Sequence, residues 1–159
     1  MADYYFDAST LVKAYITEVG SDWVSALINA RSPAGRLEHS IYLSRIGIVE
    51  TAAAIARRRR MGELKADKQS LLYRRLTEDS RRHLRLLRLT NLTLDLAADL
   101  TQRHPLRGYD AVHLATALVL RDQLVAARLP APIFVAADAN LCAVARAEGL
   151  PAENPNDYP

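Results

Sequence analysis

The sequence predicts an α/β fold with a mostly parallel sheet, and three observations carry that expectation. Tyr4-Tyr5-Phe6 and Ile133-Phe134-Val135-Ala136 are wholly apolar runs of strand length, too short for buried helices. Segments with helical spacing alternate with strand-like runs along the chain, the pattern of βαβ units. An acid stands just past each of the two runs, Asp7 after the first and Asp138 after the second. That is the carboxyl edge of a strand, where open α/β sheets bind ligands.

Each element follows from local signals. Tyr4 to Asp7 reads as the first strand, and Ser9-Thr10 starts a helix over residues 9–16. Gly20 breaks it, and Ser21 is placed to cap a second helix through residue 30. Ser32-Pro33-Ala34-Gly35 has turn chemistry. Ser40-Ile41-Tyr42-Leu43-Ser44 alternates weakly as a short strand. Residues 46–60 form an Ala-rich helix that Gly62 ends. Residues 66–83 form another, with Leu71, Leu72 and Leu76 as its apolar stripe. Leu and Arg alternate over residues 84–89, which fits a strand. Thr93 is placed to cap a helix over 94–104, which Pro105 stops. Gly108 precedes a long helix over 109–127. Residues 129–132 form a loop, and the strand at 133–136 leads through Asp138 into a helix over 140–148. One domain over residues 1–153 is expected, with a polar tail over 154–159 that is poorly ordered.

A chain of 159 residues, 50% apolar and 25% charged, suits one soluble core. No apolar run approaches the roughly 20 residues needed to span a bilayer. Asp3 and a strand stand where a signal peptide would carry positive charge and a long apolar stretch, so no membrane and a cytoplasmic location are expected. Cys142, the only cysteine, allows no internal disulfide and lies on an apolar pattern as a core residue. The net charge of +3 is uneven. Between Arg57 and Arg88 twelve Lys or Arg face four acids, whereas the remainder carries nine against fourteen. A basic segment on an otherwise acidic domain suits a polyanionic or acidic partner, or else a solvated pair of helices.

Four acids sit where stability alone would not put them. Glu50 lies on the helical stripe of Ile46, Val49, Ala53 and Ala54, where no cap is needed. Asp110 opens a helix and shares a face with Leu114, Ala117 and Leu118. Asp7 and Asp138 stand at strand ends. Taken singly, Asp7 and Asp138 also read as helix caps, and Asp110 as a first-turn acid favoured by the helix dipole. Taken together, the four make the all-oxygen ligand set that Mg²⁺ or Mn²⁺ prefers. The histidines are scattered with no zinc spacing. His113, one turn past Asp110, reads either as a packed histidine or as a hydrogen-bond partner beside the site. Ser9 and Asn140 are placed to orient a carboxylate or water behind the ligands, or simply to start helices.

Phe6-Asp7-Ala8-Ser9, Ser44-Arg45-Ile46-Gly47-Ile48-Val49-Glu50, Asp110-Ala111-Val112-His113-Leu114-Ala115-Thr116-Ala117 and Phe134-Val135-Ala136-Ala137-Asp138 resemble the acidic motifs of PIN domains. In size, order and spacing the chain is most similar to VapC-type toxins of prokaryotic toxin–antitoxin pairs. The resemblance implies a three-layer α/β/α sandwich with a mostly parallel central sheet. It also implies that the four acids meet in a groove and hold one or two Mg²⁺ or Mn²⁺ ions for endoribonuclease cleavage of RNA. A homodimer and a cognate VapB-type antitoxin that blocks the groove follow from the same resemblance. One departure is Ala137, where the family often carries Thr or Ser before the last acid.

On this reading Asp7, Glu50 and Asp110 form the main metal shell, with Asp138 more dispensable. Metal-activated water then attacks in line and leaves a 5′-phosphate and a 3′-hydroxyl. An acidic site repels RNA, so Arg57, Arg58 and Arg59 beyond Glu50 are the expected phosphate contacts. Two rivals compete. A phosphatase of the haloacid dehalogenase type would carry a second acid two residues after Asp7, where Ser9 stands. The retention of all four acids in plausible places counts against a non-catalytic RNA- or partner-binding module, and a purely structural protein has no reason to keep Glu50 on an apolar stripe.

Overall fold

The computed structural model describes residues 2–158, and among them five strands alternate with helices in one parallel sheet. Strand β1 (Asp3–Phe6) is followed by α1 (Ala8–Val12) and α2 (Ser21–Asn29), then β2 (Ser40–Ser44). Helices α3 (Arg45–Arg60) and α4 (Ala66–Arg82) lead to β3 (Leu84–Leu87), and α5 (Asn91–Arg103) and α6 (Gly108–Ala126) to β4 (Ile133–Val135). Helix α7 (Ala139–Ala147), β5 (Ala152–Glu153) and a 3₁₀ turn (Pro155–Asp157) complete the chain. The strand order is β3-β2-β1-β4-β5. The chain builds outward from β1 to β3, then returns through α5 and α6 to lay β4 on the other side of β1. The order therefore reverses between β1 and β4, the crevice where such sheets place ligands.

Strand alternation divides the core into two layers. Tyr5 and Phe134 face one side and stack, ring centroids 5.6 Å apart, under α5, α6 and α7. Phe6, Ile41, Leu43 and Val135 face the other side, under α1 to α4. Tyr5 and Phe6 are both fully buried, and each large side chain so buried contributes about 1.5–3 kcal/mol. The expected α/β/α sandwich is therefore the observed one. Cys142 is buried, as expected. No helix among the described residues is long and apolar enough to cross a membrane.

Several local expectations need correction. The first helix is a single short stretch, because beyond Val12 the chain continues as turns. Gly20, not Ser21, is the N-cap of α2; its φ of +82° is a conformation that suits glycine, while the Ser21 hydroxyl accepts the Glu18 N–H instead. Thr90, not Thr93, caps α5, its hydroxyl accepting the Thr93 N–H at 3.2 Å. Leu71 lies off the buried stripe of α4 at 40% exposed, since only Leu72 and Leu76 point at the sheet.

Residues 154–158 of the tail, expected to be poorly ordered, are instead packed, and Pro159 lies outside the described residues. Asn154 is buried and caps the 3₁₀ turn, and Tyr158 stacks on Trp23 with centroids 4.4 Å apart. The Pro155 carbonyl passes so close to Gly20 that a Cβ there would lie 2.1 Å from it. Gly20→Ala should therefore cost about 1–3 kcal/mol for the backbone conformation plus the clash with Pro155. Gly62→Ala, at φ +79° in open space, should cost the conformational part alone. Urea denaturation of both variants checks this; equal losses would mean that the Pro155 contact is easily relieved.

Candidate active site

The site begins with the way β1 ends. Asp7 leaves the strand with its N–H donating to the Val135 carbonyl at 3.0 Å, which ties it to β4. Its side chain then caps α1, Oδ1 accepting the Thr10 N–H at 2.8 Å. The Thr10 hydroxyl donates to the same Val135 carbonyl, locking α1 onto β4. Asp7 is thus a cap, as one reading of the sequence had it, but an unusually buried one at 5% exposure.

Ser9 does what was expected of it and more. Its hydroxyl lies 2.8 Å from both Asp7 carboxylate oxygens and accepts the Ala137 N–H at 3.0 Å. Ser9 thereby joins the two acidic turns. It supplies a hydroxyl between Asp7 and Ala137, where the Ala137 departure left one in doubt. The tail reaches the same turn, Asn156 donating to the Ala137 carbonyl at 3.1 Å.

Asp138 caps α7 by accepting the Leu141 N–H at 3.0 Å and is exposed. Asp110 lies in the first turn of α6. Burial raises its carboxyl above the ordinary range, and the charges of Asp7 and then Asp138 raise it further. The three aspartates therefore share one electrostatic environment at the carboxyl edge of the sheet. Asp7 is also raised, chiefly by burial, against the lowering effects of His113, Thr10 and Ser9. Among the described residues none of the three forms an ion pair with Lys or Arg.

Glu50 is held differently. Its Oε2 lies 2.6 Å from Nε2 of His113, which is 2% exposed. Nδ1 of the same ring lies 3.0 Å from the Tyr5 hydroxyl. His113 also favours the charged forms of Asp7 and Asp110, so it stands among all the acids except Asp138. Both readings of His113 hold: it is packed, and it is bonded to the site. Tyr5 is a site residue that sequence reasoning missed; within an apolar strand its hydroxyl was the only hint. As the side chains stand, no three His, Cys, Asp or Glu groups among the described residues converge on one ion position. The donor set nevertheless fits a hard divalent cation, being all carboxylate, mutually repelling and without a direct cationic partner.

The remaining candidates divide. Asn140 is exposed and caps nothing, because Asp138 has that role. A cavity of about 450 Å³ runs beside the acids, lined by Ser9 and Ala137 at one end and by Ala54, Arg57, Arg58 and Met61. Arg58 is not free for phosphate: it bridges Glu18 and Glu63. Arg57 and Arg59 are exposed and form no ion pair among the described residues.

The chain matches the family model of the PIN domain over residues 4–147. It is 37% identical over 145 residues to ribonuclease VapC45 and to ribonuclease VapC49, both of Mycobacterium tuberculosis, covering 91% of this chain and 95% of each relative. Among solved structures it is similar to VapBC2 of Rickettsia felis bound to a fragment of promoter DNA. That likeness has a TM-score of 0.60 and 11% identity, over 96% of this chain and 98% of the other. It is also similar to PAE2754 of Pyrobaculum aerophilum, with a TM-score of 0.57 and 16% identity, over 95% and 89%. These structural likenesses bear on the fold.

The raised Asp110 carboxyl has a stability consequence of definite sign. The folded state holds its proton to higher pH than the unfolded state does. Stability therefore falls as pH rises from the ordinary aspartate range through the raised value. Asp110→Asn in EDTA should raise Tm at pH 7, and the gain should vanish at a pH low enough to protonate both states. Thermal melts across that range check it; a variant less stable than wild type at pH 7 would contradict the repulsion.

Proposed function

This chain belongs to the PIN-domain family, and from that premise we propose that it is a metal-dependent endoribonuclease toxin restrained by a cognate VapB-type antitoxin. The observation that carries this reading is the set of three mutually repelling aspartates, with no ion-paired cation, at the switch point of the sheet. The relatives named ribonuclease over nearly their whole length support the substrate class. The structural neighbours that are toxin–antitoxin complexes support the partner. A homodimer and an intracellular setting follow from the same family reading.

Asp7, Glu50 and Asp110 would hold Mg²⁺ or Mn²⁺, with Asp138 beside them. The ion supplies Lewis-acid chemistry, acidifying water and neutralising charge on phosphate oxygens. The protein's own part is orientation. Ser9 and the Thr10 N–H fix the Asp7 carboxylate, and Asp138 is fixed by its role at the start of α7. Glu50 gives Oε2 to His113, and Oε1 has no hydrogen-bond partner among the described residues. That leaves one oxygen for the ion or for water.

The first test is cleavage of a labelled, mixed RNA pool with Mg²⁺, Mn²⁺ or EDTA, beside Glu50→Gln. Metal-dependent cuts that fall at least about 100-fold in the variant are expected, with 5′-phosphate and 3′-hydroxyl ends. Equal inactivity of both proteins, with RNA still tightly bound and no antitoxin co-purified, would favour a binding module. Arg57 lines the cavity that begins at Ser9 and Ala137, which supports it as a phosphate contact. Replacing Arg57 and Arg59 by Ala should flatten the dependence of log RNA affinity on log salt by about 0.7 per lost contact. Arg58→Ala should change the slope less, because Glu18 and Glu63 already neutralise it.

A further inference from the structure

The hydrogen bonds around His113 form one chain from β2 to Glu50. The Ser44 N–H, which can only donate, gives its proton to the Tyr5 hydroxyl oxygen at 3.2 Å. The Thr116 hydroxyl beside Tyr5 donates to the Val112 carbonyl at 2.6 Å, and the Glu50 carboxylate at Nε2 can only accept, so the Tyr5 hydroxyl hydrogen is directed at Nδ1 of His113, 3.0 Å away. An Nδ1 that accepts requires the hydrogen of a neutral ring to be on Nε2, which lies 2.6 Å from the Glu50 carboxylate. The ring has nowhere else to go. Tyr5 is clamped flat on Phe134, and the face of α3 opposite His113 is Gly47, where a Cβ would come 3.2 Å from the imidazole Cε1. Four elements, β1, β2, α3 and α6, thus cooperate on one carboxylate.

We propose that His113 is a positioning residue for Glu50: the Ser44–Tyr5 relay supports the Nε2–H tautomer, and that Nε2–H aims the free carboxylate oxygen at the metal-binding edge. This rests on the function proposed above, in which Glu50 serves the ion. Ligating carboxylates generally need a partner behind them, and removal of such a partner costs about 10–100-fold in metal affinity.

The tautomer is read without any activity. In uniformly ¹⁵N-labelled protein, long-range ¹H–¹⁵N correlation should show His113 protonated at Nε2 and bare at Nδ1. Tyr5→Phe, which keeps the stacked ring and removes the hydroxyl, should turn this into a mixture. A ring protonated at Nδ1 alone in wild type would overturn the relay. The positioning role is read from Mn²⁺ affinity by calorimetry on His113→Leu and His113→Gln. The leucine variant should bind Mn²⁺ 10–100-fold more weakly, while glutamine, with an amide N–H near the Nε2 position, should restore most of the loss. RNA affinity in EDTA should be unchanged in both. Wild-type affinity in both variants overturns the inference and leaves the nuclease intact. Equal weakening of both variants with equally lowered Tm overturns it in favour of plain packing. A wild-type protein that neither binds Mn²⁺ nor cuts RNA overturns the functional reading itself, and the positioning role with it.

Discussion

A carboxylate buried at the end of the central strand sets the terms for everything near it. Asp7 is almost wholly shielded from water, and among the described residues no Lys or Arg pairs with it. An isolated charge in that position costs several kcal/mol. The chain offsets the cost with His113 from α6 and with short-range donors: the Thr10 N–H, the Ser9 hydroxyl and the start of α1. That is why a five-residue helix must begin at once after β1, and why its Thr10 hydroxyl is anchored on β4. An ion pair would have been cheaper in stability but would have filled the site with the protein's own cation. The nearby basic cluster observes the same restraint, because Arg58 is turned toward Glu18 and Glu63 rather than toward the aspartates.

The two kinds of acid differ in how they are held. Asp7 and Asp138 are oriented by backbone N–H groups that exist because helices start there. Glu50 lies in mid-helix, where backbone donors are spent, so it needs a side chain from elsewhere. His113 comes from α6, 63 residues away in sequence, and brings Tyr5 with it. Gly47 is the cost of that arrangement within α3, since a larger residue there would press on the imidazole.

Much of this was legible in the sequence. The strands at residues 4–6 and 133–135 were plain from their wholly apolar runs, and the acids at their ends were plain because the carboxyl edge of a strand is a defined place. Glu50 stood out as a charge in an Ala-rich helix, but the stripe of Ile46, Val49, Ala53 and Ala54 is not the buried face: Val49 and Ala53 are exposed, and Gly47, Thr51 and Ile55 point inward instead. What could not be read depends on long-range packing. Whether Thr90 or Thr93 caps α5 differs by one turn and has the same chemistry. Arg58 and its neighbours look alike until Glu18 and Glu63 are brought to one of them. His113 read first as a packed histidine and only second as a partner of the site, because nothing local says which helix its face meets. The last strand has two residues and follows a proline, and the tail is held by Asn154, Pro155 and one aromatic stack rather than by an apolar run.

The place of β4 in the sheet has a consequence for how the protein is made. Tyr4 pairs with Ile133, and the acidic turn after β4 is held by Ser9 and by Asn156 near the very end of the chain. A ribosome that has delivered β1, β2, β3 and α6 has delivered Asp7, Glu50 and Asp110, yet Asp7 still lacks Val135 beside it. The aspartate edge closes only once β4 and the residues that follow it are in place. A truncated or stalled translation product therefore carries three of the four acids without the strand that brings them into register.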